Sequence, residues 1–232
     1  MFCYQCQETA KNQGCTVKGM CGKPEGTSNL QDLLIHVLKG TGVYGEKAAE
    51  LGVLDQATGK SVSESLFSTI TNVNWDDDWF VSRIKEALNV REDIKGKFLA
   101  AYQEKNGQAF SEALPDAATW FSQDASTYQA KAGEVGVMAT ENEDVRSLRE
   151  LLIIGLKGVA AYADHAAVLG YEKDDIYRFM MEALASTTKD LTVDEMVGMV
   201  LKCGETAVGT MALLDEANTT TYGHPELTEV NI

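Results

Sequence analysis

Residues 30–52 read LQDLLIHVLKGTGVYGEKAAELG, and residues 148–170 read LRELLIIGLKGVAAYADHAAVLG. The two stretches align without a gap at an offset of 118, and twelve of their 23 positions are identical. In the first, Leu30, Leu33, Leu34, Val37 and Leu38 follow the i, i+3, i+4, i+7, i+8 spacing that stacks apolar side chains on one helix face. The same offset places Glu64 on Glu182, Leu66 on Leu184 and Asp76 on Asp194, so the likeness outlasts a single helix. Coincidence between two Leu-rich helices is the competing explanation, and the later positions in register argue against it.

Working outward, each copy reads as three helices. They fall at 30–51, 61–72 and 75–89 in the first copy, and at 143–169, 174–188 and 193–217 in the second. Capping boxes, in which a hydroxyl and a Glu or Gln satisfy orphan amides reciprocally, are expected at Ser28…Gln31, Ser61…Glu64, Thr140…Glu143 and Thr192…Glu195. Asn74 and Thr192 correspond as N-cap residues. Alternating strand patterns are nearly missing, so the expected fold class is all-α: two repeated three-helix bundles with an N-terminal four-cysteine loop. The expected divisions are a cysteine loop at 1–26, a first bundle at 27–90, a helical connector at 91–142, a second bundle at 143–222, and the start of a following domain at 223–232. That last segment, TYGHPELTEVNI with the residues before it, leaves the helical pattern at Gly223 and Pro225 and turns strand-like.

A net charge of −15 repels phosphate backbones and anionic lipid, so neither nucleic acid nor a membrane is an expected partner. The unbroken apolar runs, LLI at 33–35 and LLIIGL at 151–156, fall well short of the ~20 residues of a membrane span. A secretory leader needs a basic segment and then an apolar run where Cys3 and Cys6 already stand. The expected location is the reducing cytoplasm, where clustered thiols serve metals more often than disulfides.

Four of the five cysteines lie in FCYQCQETAKNQGCTVKGMC, residues 2–21, spaced C-x2-C-x8-C-x5-C at Cys3, Cys6, Cys15 and Cys21. Four soft thiolates suit zinc or an iron–sulfur cluster, and spacing alone leaves both open. Paired C-x2-C knuckles, frequent at zinc sites, are missing, as is the ferredoxin run with its trailing proline. Lys11, Lys18 and Lys23 would favour the reduced state of an anionic cluster. Gly14, Gly19 and Gly22 would let backbone amides approach the sulfurs.

The opening MFCYQCQETAKNQGCTVKGMCGKPEGTSNLQDLL resembles the N-terminus of the hybrid cluster protein (prismane) family, assigned as hydroxylamine reductases. TENEDVRSLRELLIIGLKGVAAYADHA and ALLDEANTTTYGHPE resemble the same family further along. The spacing is similar to the class from anaerobes, which carries a [4Fe–4S] cluster here; enterobacterial members use a wider spacing and a [2Fe–2S] cluster. The resemblance implies that Cys3, Cys6, Cys15 and Cys21 are the cluster ligands, and that the first domain is a pair of three-helix bundles. It also implies a second, hybrid iron–sulfur–oxygen cluster held by two further α/β domains, where hydroxylamine is reduced to ammonia and water. Those domains have no counterpart in these 232 residues, so no catalytic residue is expected in this chain. The implied partners are the remaining domains of the parent protein and a redox donor protein. Nitric oxide reduction is a competing assignment for the family.

Other chemistry-bearing residues read as structural. Cys203, in MVLKCGETAVG, stands alone among apolar residues and is expected to be a buried core thiol. His36 matches Ile154 in the repeat and is a packing position; His165 is a surface group; His224 lies in a turn before Pro225. The three carboxylates of NWDDDW, 74–79, diverge by about 100° per residue on a helix and suit its N-terminus better than a cation. Phe2 and Tyr4 flank Cys3 as shields or as ordinary packing. The alternatives to a reductase domain are a zinc-stapled helical interaction module and a stand-alone electron carrier.

Overall fold

The computed structural model describes residues 3–9 and 13–228, which leaves Phe2 and Lys11 outside the described residues. Eight α-helices follow in chain order: α1 Glu25–Glu50, α2 Gln56–Ser68, α3 Asp77–Asn106, α4 Asp116–Thr119, α5 Tyr128–Val135, α6 Glu143–Val168, α7 Asp174–Ser186 and α8 Val193–Tyr222. Among the described residues there is no strand. Residues 223–228 take no regular structure in place of the strand-like ending expected. The one pairing of strand type is an isolated antiparallel bridge between Cys3 and Cys15.

The caps explain where these helices begin. Only the Thr192–Glu195 box forms. At α2 the Asp55 carboxylate accepts from the Thr58 amide, which starts the helix at Gln56 and puts Ser61 and Glu64 in its interior. Asn142 takes the N-cap of α6 in place of Thr140, and Asp76 takes that of α3 in place of Asn74. Helix α1 begins behind Pro24, so Ser28 and Gln31 are buried helical residues. Helix α3 runs unbroken past residue 89 until Gly107, whose φ of 70° only glycine adopts without strain. Gly96 inside it is tolerated because the surrounding residues keep the helical pattern.

The helices of the two copies match in order and length: 26 residues for α1 and α6, 13 for α2 and α7, 30 for α3 and α8. Their packing, however, is exchanged. Helix α1 lies chiefly on α3 and α7, and α6 chiefly on α8 and α2, so each short helix leans on the first helix of the other copy. The helices of the two expected bundles therefore meet in one interlocked core. Glycine makes the exchange possible: a Cβ at Gly42 would lie 2.5 Å from Leu184 Cβ, and one at Gly59 would lie 2.3 Å from the Tyr177 ring.

Helix α1 is central. The segment after α3 folds back over it through α4 and α5, and a Cβ at Gly40 would sit 1.8 Å from the Ala117 carbonyl oxygen of α4. Arg91, fully buried, donates to that oxygen at 2.8 Å, and the Tyr44 hydroxyl donates to the Ala118 carbonyl at 3.2 Å. By length and composition, α6 and α8 each hold a window apolar enough to cross a membrane. Counting unbroken apolar runs missed this because near-neutral Gly and Thr interrupt the runs while lowering the mean hydropathy only slightly, and Ala adds to it. Half of the α6 window is buried inside the chain, against 17% of that of α8.

Candidate metal centre

The chain ahead of α1 closes into a loop through short-range chemistry. Cys3 and Cys15 exchange backbone hydrogen bonds of 3.2 and 2.8 Å. Gly14 turns between them at φ 79°, with its missing Cβ replaced by the Tyr4 ring, whose atoms would come within 2.4 Å. Tyr4 thus packs on the loop's own turn. Gly19 is held against Lys23, where a Cβ would lie 2.8 Å from the Lys23 carbonyl oxygen.

This closure brings Cys3, Cys6, Cys15 and Cys21 to the wall of one small cavity, shared with Gln5, Thr9, Gly19, Met20, Lys23 and Thr71. All four are free thiols; Cys3 and Cys15 are buried, Cys6 is half-buried and Cys21 is exposed. Among the described residues no three His, Cys, Asp or Glu groups converge closely enough to grip a single metal ion. Four thiols lining one cavity form a donor set that soft metal ions and iron–sulfur clusters share. The donor set fits a cluster, since thiolates are the usual protein ligands of iron–sulfur clusters.

A polar frame supports the cavity from α1. Lys23 Nζ donates to Gln31 Oε1 at 2.8 Å, and Gln31 Nε2 donates to the Asn74 carbonyl at 3.2 Å. Those two partners fix the orientation of the Gln31 amide, so the 3.2 Å contact from Gln5 must be Nε2 donating to Gln31 Oε1. Gln5 Oε1 is then left buried without a hydrogen-bond partner. Lys23 is buried, whereas Lys18 is exposed.

The remaining candidates lie elsewhere. Cys203 is buried in the main core, its sulfur 3.0 Å from where a Gly155 Cβ would be, and burial pushes its thiol pKa up. His36 is more than a packing position: its Nε2 pairs with Asp116 Oδ2 at 3.0 Å, and burial pulls its pKa down to about 4. The repeat hid this pair, because the matching residue is Ile154. His165 is exposed and stands edge-on to Phe67, and His224 is exposed beyond α8. Asp76 caps α3, while Asp77 and Asp78 occupy its first turn.

Sequence reasoning missed a second cluster of charge. Asp32 and Lys39 on α1 correspond at the 118-residue offset to Glu150 and Lys157 on α6, and the four groups interact across the core. Burial raises the Asp32 pKa to about 7 and lowers that of Lys157 to about 8, against the attraction between them. Lys157 Nζ also donates to the Thr69 carbonyl at the end of α2, at 3.0 Å.

Comparison with known proteins covers the whole chain. The sequence profile of the Prismane/CO dehydrogenase family matches residues 1–232. The chain is 66% identical over 232 residues to a hydroxylamine reductase of Nitratidesulfovibrio vulgaris (strain Hildenborough), covering all of this chain and 42% of that protein. Hydroxylamine reductases of Desulfosudis oleivorans and Halothermothrix orenii are 64% and 58% identical, again over the whole chain and covering 41% and 42% of their own lengths. The chain therefore spans about two fifths of the length of these relatives. With its four-cysteine loop and all-helical body, it belongs to the Prismane/CO dehydrogenase family.

Proposed function

We propose that this chain is the electron-uptake part of a cytoplasmic hydroxylamine reductase, with Cys3, Cys6, Cys15 and Cys21 holding a [4Fe–4S] cluster. The observation that carries the reading is the single cavity walled by all four thiols. The cluster, when bound, supplies one-electron transfer. The chain's own residues position it: the Cys3–Cys15 backbone pair fixes two ligands, the glycine turns bring the loop close, and Lys23 places a buried cation on the cavity wall. Exposed Cys21 sets one side of the site toward solvent, where a redox donor protein can approach. The overall reaction, NH2OH + 2e− + 2H+ → NH3 + H2O, needs a centre that binds and polarises the N–O bond. Four thiolate ligands leave no open iron position for it, so that centre, the hybrid cluster, belongs to the further part of the longer protein.

The surface supports this division. Leu151, Ile154, Tyr162, Val197, Leu201 and Val208 lie exposed on α6 and α8. We assign them as the seat of the remaining three fifths of a protein of the relatives' length, in place of a membrane.

The test is anaerobic purification followed by iron, acid-labile sulfide, zinc and visible absorbance. About four iron and four sulfide per chain are expected, the composition of a four-thiolate cubane. Cys15→Ser should empty the site and Cys203→Ser should leave it loaded. A colourless protein with one zinc, or equal loss in the two variants, refutes the assignment.

A further inference from the structure

Two repeat-related lysines, Lys39 half-buried and Lys157 buried, belong to one charged core, and of the two only Lys157 has a loop cysteine among the charges that act on it. The exchange of short helices explains the asymmetry. Helix α2 leans on α6, and Lys157 bonds the Thr69 carbonyl at the C-cap of α2, two residues from Thr71 in the cavity wall. Lys157 is 5% exposed and close enough to Cys3 and to Lys23 for their charges to act on it. Lys39 interacts with Glu150, Arg149 and Asp32, with no cysteine among its partners, and lines two other cavities beside Val135 and Ala139.

We propose that Lys157 is a redox-positioning residue: a fixed buried cation, 136 residues in sequence beyond the last loop cysteine, that raises the reduction potential of the cluster bound by that loop. The inference rests on reading the four-cysteine cavity as an iron–sulfur site. A cluster bound by four thiolates is anionic and gains a further negative charge on reduction. A nearby cation in a poorly solvated site therefore stabilises the reduced form more than the oxidised form. Lys157 is suited to the task because its stem is held by packing and its ammonium by the Thr69 carbonyl, so it cannot swing into water. With its pKa near 8 it stays charged at neutral pH. The plain structural alternative is that it only neutralises Asp32 and caps the α2 C-terminus.

The two roles separate in a redox titration of the anaerobically purified protein, followed by the EPR signal of the reduced cluster. Lys157→Met is expected to retain iron and sulfide but to lower the reduced-to-oxidised ratio about tenfold at a fixed potential, about 59 mV for one electron. Lys39→Met, which removes a repeat-related cation from the same charged core, should stay within about threefold of the parent. Lys157→Arg, which keeps the charge, should do likewise. If Lys157→Met fails to assemble, Lys157→Gln retains a donor for Thr69 and should show the same fall. Equal shifts in the Lys157→Met and Lys39→Met proteins, an unchanged potential in the first, or an Arg variant shifted as far as Met would overturn the proposal. A parent protein without iron and sulfide would overturn the underlying site assignment as well.

Discussion

Helices α1 and α6 share a sequence pattern, a length and a register, yet only α1 is buried all round. Leu33 is fully buried, whereas Leu151, its counterpart, is 53% exposed; Tyr44 is 1% exposed, and Tyr162 is 40% exposed. Gly40 is pressed against the Ala117 backbone, whereas nothing lies within 4 Å of a Cβ built on Gly158. Arg91, which anchors α4 over α1, is matched by Gly209, so the second copy lacks the anchor as well as the cover. An apolar pattern therefore states which residues seek burial without stating what buries them. In the first copy the chain supplies the cover itself through α4 and α5; in the second the same features face outward.

The largest effect should come from the glycine pair. Gly40→Ala drives a methyl group into the Ala117 carbonyl, so α4 must lift off α1, and we expect a loss of about 3 kcal/mol or more of stability. Gly158→Ala meets open space in mid-helix and should gain up to about 1 kcal/mol in this chain. Urea denaturation of both variants checks the contrast. In a protein of the relatives' full length Gly158→Ala should turn destabilising. If it is neutral or stabilising there as well, the uncovered face is not a seat for the rest of the protein.

A smaller contrast is expected between the leucines. Leu33→Ala removes a fully buried side chain and should cost about 2–5 kcal/mol, whereas Leu151→Ala should change stability by less than about 0.5 kcal/mol. Similar losses in the two variants would mean that the second copy's face is already covered, for instance by a second copy of the chain. Sedimentation of the parent protein would show this directly.

The same comparison shows how much was legible beforehand. The ungapped repeat fixed the class, the order of helices and the matching of α1 with α6, because heptad-scale apolar spacing is a local property of the chain. Helix starts were displaced where another side chain outcompeted the expected cap: Asp55 lies nearer the true start of α2 than Ser61, and a carboxylate accepts more strongly than a hydroxyl. The exchange of α2 and α7 was not legible, since two amphipathic helices of 13 residues each offer similar apolar faces to either long partner. The gathering of the four cysteines at one cavity was legible because they lie within nineteen residues, 3–21. Lys157 was not, because only the exchanged packing distinguishes it from Lys39.

The smallest expected effect concerns the charged core that joins the copies. The Asp32 carboxyl faces Lys157, Lys39, Lys23 and Glu150, and burial holds its pKa near 7, above its ordinary value of 3.8. The folded state therefore binds a proton that the unfolded state releases between those two values. The contribution is fully present below pH 3.8 and is lost as pH rises towards 7. Asp32→Asn removes this slope, and the variant should become more stable than the parent by about 1–2 kcal/mol at pH 8. Full burial would give more, but Asp32 is only half-buried and solvent screens part of the penalty. The difference should shrink as pH falls from 7 and vanish only below about 3.8, where Asp32 is protonated in the folded and the unfolded chain alike. The opposite slope from His36, whose pKa is lowered to about 4, is common to both proteins and cancels in the difference. Denaturant titrations at pH 5, 6.5 and 8, with cluster content followed by absorbance, make the measurement. A difference that stays flat across that range would mean that Asp32 is ionised throughout and that Lys157 meets a full carboxylate, which would change the charge set against the proposed cluster.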